Sequence, residues 1–174
     1  MEPVYLALGS NLGDREGYLR AAGRGLAARG IEIVRSASVY STEPREVLDQ
    51  PWFLNTVLQV STDLGPTELL RICLQIEEEN NRRRDTAKGP RTIDIDIIFY
   101  GNRIIRNPGL AIPHPRFSAR RFVLLPLTEI AAALVDPLSG RTIRQLFEIC
   151  DDPATVVRVS DALVFSHPFP NERQ

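Results

Sequence analysis

Asp94 and Asp96 stand one residue apart in the run Thr92-Ile93-Asp94-Ile95-Asp96-Ile97-Ile98-Phe99-Tyr100. Its β-branched and aromatic composition predicts a strand, so the two carboxylates share one face while Ile93, Ile95 and Ile97 occupy the other. Adjacent carboxylates repel, and a hard divalent cation beside them relieves the repulsion; an oxygen-only donor set favours Mg²⁺ over zinc. Taken alone, such a pair is more often the solvated side of an edge strand. Two neighbours shift the reading toward chemistry. Glu77 follows Cys73 by four residues and borders a helical apolar stripe where an aliphatic side chain would be expected. Arg82-Arg83-Arg84, then Lys88, Gly89, Pro90 and Arg91, form a dense positive stretch leading into the acidic strand. Cations beside a metal site suit phosphoryl transfer, where positioning and electrostatics do most of the catalytic work. By themselves the arginines equally fit a solvated helix C-terminus.

The elements that must position these groups are legible along the chain. Val4 to Leu8 is an apolar run closed by Gly9-Ser10-Asn11, which predicts a buried central strand, a tight turn and a helix over 12–28 with Asn11 as its cap. Residues 31–40 and 53–62 have strand composition and are joined by a loop holding Pro44 and Pro51. In the second of these, Phe53, Asn55, Val57 and Gln59 lie on one face, and Leu54, Thr56, Leu58 and Val60 on the other. Pro66 suits a first helical position, and Leu69, Leu70, Cys73 and Ile76 extend that helix to about residue 82. Phe122 to Ala133 is a third helix candidate. The order β-α-β-β-α-β predicts an α+β, ferredoxin-like fold: an antiparallel sheet with helices packed on it, followed by short C-terminal elements. Residues 1–174 read as a single domain, with about 151–174 a peripheral C-terminal extension.

Lysine plus arginine number 21 and aspartate plus glutamate 22, a balance that argues against bulk nucleic-acid binding. Two separated cysteines, Cys73 and Cys150, build neither a disulfide framework nor a metal knuckle. No apolar run is long enough to span a bilayer, and the start of the chain lacks a secretory pattern, so the expectation is a soluble cytoplasmic protein, taken as a monomer. No P-loop motif is present, and His114 and His167 have no nucleophile context.

Three blocks then converge: Tyr5-Leu6-Ala7-Leu8-Gly9-Ser10-Asn11-Leu12-Gly13-Asp14-Arg15, Gln50-Pro51-Trp52-Phe53-Leu54-Asn55, and Gly89-Pro90-Arg91-Thr92-Ile93-Asp94-Ile95-Asp96. With Pro113-His114-Pro115-Arg116 and Arg120-Arg121-Phe122-Val123-Leu124, they closely resemble the 6-hydroxymethyl-7,8-dihydropterin pyrophosphokinase family over residues 4 to roughly 147. The resemblance implies transfer of the β,γ-diphosphate of ATP to the pterin hydroxyl in folate biosynthesis, with release of AMP and with two Mg²⁺ ions. It implies that Asp94 and Asp96 hold the metals and act in catalysis with Arg82 and Arg91. Arg82, Arg84, Lys88, Arg91, His114 and Arg120 become the ATP contacts. Thr42, Glu43, Pro44 and Asn55 read the pterin edge, Phe53 and Phe122 sandwich its rings, and Glu77 lies close by. Stacking between aromatic faces and a carboxamide on a guanidine-like edge suit such a substrate. The chain departs from the family pattern at Arg45-Glu46, at Asn81 before Arg82, where glycine is common, and at Lys88. Loops 43–51 and 83–91 are the candidates for closing over ATP. The alternative of another class is a ferredoxin-like RNA-binding module, with the arginines on phosphates and Phe53 stacking on bases.

Overall fold

The computed structural model describes residues 1–44, 48–82 and 90–165. Its centre is β1 (Val4–Ser10), buried along nearly its whole length as its unbroken apolar composition requires. Antiparallel neighbours flank it, β5 (Asp94–Tyr100) on one side and β4 (Phe53–Ser61) on the other. The far edge of β4 takes β2 (Glu32–Ser36) and β3 (Val39–Thr42), and β8 (Val156–Ser160) pairs with β3, giving the order β5-β1-β4-β3-β8.

Counting β2 and β3 as one interrupted strand, this is the expected ferredoxin-like arrangement. The single strand expected over 31–40 breaks at Ala37-Ser38 for a local reason. The Ser38 amide donates to the Glu129 carboxylate at 3.0 Å instead of to a neighbouring strand, and the Ser38 and Tyr40 hydroxyls donate to the same carboxylate, each at 2.8 Å.

Helices cover both faces. On one, α1 (Arg15–Ala27) and α2 (Pro66–Glu79) bury Leu19, Leu26, Leu69 and Ile76 against Leu6, Leu8, Leu58 and Ile95. On the other, α3 (Arg121–Ala131) and α4 (Ile143–Glu148) bury Val123, Leu127 and Leu146 against Tyr5, Val57 and Phe99. A small hairpin, β6 (Ile105–Asn107) and β7 (Leu110–Ile112), follows β5. Asn11 does not cap α1: the helix starts three residues later than expected, and the Asp14 carboxylate accepts the Gly17 amide at 3.0 Å.

The segment from about residue 151, expected at the periphery, contributes an edge strand of the main sheet and then returns to the core. Leu163 is buried in the α1/α2 layer, and Phe165 lies where Gly23 leaves room, since a Cβ at Gly23 would come within 2.0 Å of its ring. Leu163→Ala is therefore expected to destabilise the chain by about 2–4 kcal/mol, the range for a buried leucine. Urea denaturation checks this, and an unchanged midpoint would show that the segment adds nothing to the core.

Candidate active site

A cleft of about 620 Å³ opens on the α3 face of the sheet, at the end where β1 gives way to Gly9 and β5 begins. Every site residue expected from the sequence that lies in the described residues lines it: Thr42, Glu43, Pro44, Phe53, Asn55, Glu77, Arg82, Arg91, Asp94, Asp96, His114, Arg120 and Phe122. Arg84, Lys88 and Arg45-Glu46 lie outside the described residues.

Sheet register sets the floor. Asp94 pairs with Gly9, Gly9 with Asn55 and Asn55 with Tyr40, so these positions form one row across four strands. Asp96 lies in the next row with Ala7 and Val57, on the same face. Two strand spacings, about 10 Å, thus separate the first acid from the Asn55 carboxamide. Gly9 keeps the space between them open, because a Cβ there would lie 2.7 Å from Asn55 Oδ1. The Asn55 amide donates to Thr42 Oγ1 at 2.6 Å, which fixes the orientation of the carboxamide.

Asp94 is clasped by two guanidinium groups. Arg91 donates to its Oδ2 at 2.7 Å and Arg82 to its Oδ1. Burial pushes the Asp94 carboxyl up, but the charges of Arg82 and Arg91 outweigh it and hold the group below the usual range. Asp96 has the opposite fate: burial and the neighbouring Asp94 charge push it up to about 6, although Arg120, Arg82 and Arg91 pull the other way. The two acids accordingly differ in readiness to ionise, and a cation beside Asp96 would stabilise its charged form. Asp96, whose carboxylate is open to the cleft, beside an Asp94 whose two oxygens meet Arg91 and Arg82, fits Mg²⁺, which keeps several waters and takes few protein ligands. No cluster of three or more His, Cys, Asp or Glu side chains suited to a metal occurs among the described residues.

The helical neighbour has a defined place. Glu77 is buried; its Oε1 accepts the Ile95 amide at 2.8 Å and meets Arg82 Nη1 at 2.7 Å. It thereby satisfies the outward backbone of edge strand β5 between the two aspartates. Arg82 reaches this position through the end of α2. Asn81 adopts a left-handed φ of 61°, its amide bonds the Glu78 carbonyl, and the Arg82 amide bonds the Glu77 carbonyl at 3.0 Å. Asparagine tolerates this conformation better than most residues with a Cβ, so the turn forms here without a glycine.

A bulge positions the histidine. Ile98 is the extra residue where the β1–β5 register shifts, and its carbonyl accepts the His114 amide at 3.0 Å. His114 Nδ1 accepts the Arg116 amide, and Nε2 faces Asp96 at 3.9 Å. Burial and the charges of Arg120 and Arg116 push the imidazole down to about 4, so it is neutral at pH 7. Arg91 and Arg120 lie 5.5 and 5.6 Å from the centroids of Phe53 and Phe122.

Asn11, assigned to a cap in the sequence, is the hidden organiser. Almost fully buried, it exchanges backbone and side-chain bonds with Arg91 and donates to Gln50 Oε1 and Pro51 O, each at 3.1 Å. Only the adjacency of Asn11 to a strand end hinted at this, since its partners are 39 to 80 residues away.

The family model described as 7,8-dihydro-6-hydroxymethylpterin-pyrophosphokinase (HPPK) matches residues 5–132. The 2-amino-4-hydroxy-6-hydroxymethyldihydropteridine pyrophosphokinase of Methylorubrum extorquens is 41% identical over 160 residues, covering 91% of this chain and 99% of that protein. The enzyme of the same name from Bacillus subtilis is 45% identical over 128 residues, covering 73% and 77%. The folic acid synthesis protein fol1 of Pneumocystis carinii is 44% identical over 147 residues, covering 84% of this chain but only 20% of that one. In fold, the chain is similar to the solved Plasmodium falciparum HPPK-DHPS with pteroate, with a TM-score of 0.68 at 16% identity, over 84% of this chain and 44% of that one.

Two outcomes follow from the geometry. Because a proton competes for Asp96 with a pKa near 6, Mg²⁺ affinity should be flat above neutrality and fall as pH drops through about 6. The loss should approach roughly tenfold per unit below that point. Calorimetric titration across pH 5–8 tests this, and an affinity unchanged down to pH 5 contradicts it. Gly9→Ala should displace the Asn55 carboxamide while leaving the metal affinity within about twofold, because the added methyl meets Asn55 and Phe53 and neither acid. Cation titration together with the Asn55 side-chain amide shift in NMR would distinguish a local effect from general disruption.

Proposed function

Because the chain belongs to the 7,8-dihydro-6-hydroxymethylpterin-pyrophosphokinase family, we propose that it transfers the β,γ-diphosphate of ATP to the hydroxyl of 6-hydroxymethyl-7,8-dihydropterin, releasing AMP, in folate synthesis. The observation that carries this reading is the single row Asp94-Gly9-Asn55, which sets an acidic metal-binding edge and a heteroaromatic-reading amide one small molecule apart on a rigid sheet.

The pterin lies in the slot between Phe53 and Phe122, its ring faces gaining dispersion from both. Asn55 and Thr42 read its polar edge; the Thr42 contact holds the carboxamide with oxygen over Gly9 and nitrogen toward β3. The substrate hydroxymethyl group then points along the sheet toward Asp94 and Asp96. A second hollow of about 350 Å³, lined by Ile97, Leu110 and Pro115 and sharing Leu70, Ile95, Asp96 and His114 with the main cleft, suits the base and ribose of the nucleotide. The triphosphate spans the two, and Arg82, Arg91 and Arg120 bind its oxygens through charge-assisted hydrogen bonds. Neutral His114 offers an Nε2–H donor without adding a charge. Two Mg²⁺ ions, held by Asp94 and Asp96, would supply charge neutralisation on the phosphates and polarise the attacking hydroxyl. The protein acts as a monomer in the cytoplasm on these two small molecules and uses no nucleic acid; no described helix is long and apolar enough to cross a membrane.

The RNA-binding alternative lacks support. The relatives named above are pyrophosphokinases or a folate-synthesis protein, and the floor of the cleft carries two carboxylates that would repel a phosphate backbone.

AMP formation should require ATP, Mg²⁺ and the pterin together. Asp94→Asn and Asp96→Asn should each lower kcat at least about a thousandfold, with an unchanged circular dichroism spectrum. AMP release that persists without pterin, or an active Asp96→Asn protein, would contradict the assignment.

A further inference from the structure

The start of α3 carries Phe122, yet its N-cap position, Arg120, supplies no side-chain cap. Pro126 also lacks the amide that would bond the Phe122 carbonyl, so the first turn of this helix is short of internal bonds. An acceptor for the first amide of the helix comes from the far end of the chain. Asp152, 5% exposed, accepts the Arg121 amide through Oδ2 at 2.9 Å and the Ala154 amide through Oδ1 at 3.1 Å. The next residue, Thr155, is joined to Glu43 in both directions: its amide donates to Glu43 Oε2 at 2.8 Å and its carbonyl accepts the Glu43 amide at 3.2 Å. Glu43 follows Thr42, the partner of Asn55.

Residues 152–155 thus link Arg121, next to Phe122, with Glu43, next to Thr42, through hydrogen bonds at both ends of a short stretch of backbone, and they lie beyond the segment 5–132 matched by the family model. We propose that Asp152 is a positioning residue for the pterin: its carboxylate, bonded at once to the start of α3 and to the Ala154 amide in the segment that leads into β8, sets the separation of the two walls between which the rings bind. The inference rests on the pyrophosphokinase reading of the cleft and adds a specificity-determining role to a segment beyond residues 5–132, the stretch matched by the family model. Among the described residues no hydrogen bond or ion pair joins Asp152 to the acids, Arg82 or Arg91, which are fixed from α2, β5 and Asn11; of the arginines assigned to the triphosphate, only Arg120 adjoins the start of α3. Its removal should therefore weaken pterin recognition far more than metal or nucleotide binding. A merely structural carboxylate would lower thermal stability and disturb all constants together.

Steady-state kinetics on the full chain, varying the pterin and MgATP independently, tests this with Asp152→Ala and Asp152→Asn. The alanine variant should raise the pterin KM about tenfold, the scale of a lost capping bond. Its KM for MgATP and its kcat should stay within about threefold. The asparagine variant keeps an acceptor oxygen and should hold the pterin KM within about threefold of the parent. A pterin KM unchanged in Asp152→Ala, or constants for both substrates rising in parallel, overturns the proposal. Hydrogen exchange on the unaltered chain needs no variant to fold: adding pterin with a non-hydrolysable ATP analogue should slow exchange of the Arg121, Ala154 and Thr155 amides at least about fivefold beyond the analogue alone. Equal exchange in the two states also overturns it. If the unaltered chain forms no AMP in a pterin-dependent manner, the reading of the cleft itself fails, a result distinct from normal turnover with an indifferent Asp152.

Discussion

Two carboxylates on the same face of one edge strand, partly withdrawn from water, are the constraint around which the cleft is built. Burying like charges side by side is costly unless cations and donors are placed around them. Arg82 and Arg91 hold Asp94, and Arg82 is in turn held by Glu77, which also occupies the Ile95 amide between the acids. The left-handed turn at Asn81 exists to aim Arg82 inward from the end of α2. Asp96, less fully compensated, keeps a raised pKa of about 6 and so retains an electrostatic demand that a metal can meet. Compensation at one acid and its shortfall at the other are two halves of the same arrangement.

The sheet converts that local balance into a substrate-sized ruler. An antiparallel ladder fixes the spacing between neighbouring strands, so the separation of Asp94 from Asn55 across Gly9 is set by backbone geometry and little affected by side-chain motion. Helices α1 and α2 back the opposite face with a close-packed layer, leaving the α3 face to carry the chemistry. The aromatic wall is less autonomous. It stands on the first turn of a helix that depends on contacts from residues 152–155, and the same C-terminal region closes the sheet edge and fills the notch above Gly23.

The nearly neutral net charge of the whole chain conceals a strong local polarity, with arginines gathered at the ends of α2, before β5 and before α3, around an acidic floor. Local clustering of both signs, instead of a global field, is what a site for a polyanion with bound cations requires.

The sequence alone determined the order of the β-α-β-β-α-β core, the shared face of Asp94 and Asp96, the pairing of Phe53 with Asn55 on one side of β4, and, through the resemblance of its motifs, the family. Those features depend on short-range periodicity, which the chain carries within a few residues. Tertiary structure decided the rest. That Glu77 bonds the Ile95 amide, that Asn11 ties Arg91 to the Gln50-Pro51 turn and leaves capping to Asp14, that Glu129 splits β2 from β3, and that Asp152 caps α3 all depend on partners 18 to 91 residues apart. A buried polar side chain announces in sequence only that it needs a partner; which donor or acceptor meets it is fixed when the sheet acquires its register and the helices settle on its faces.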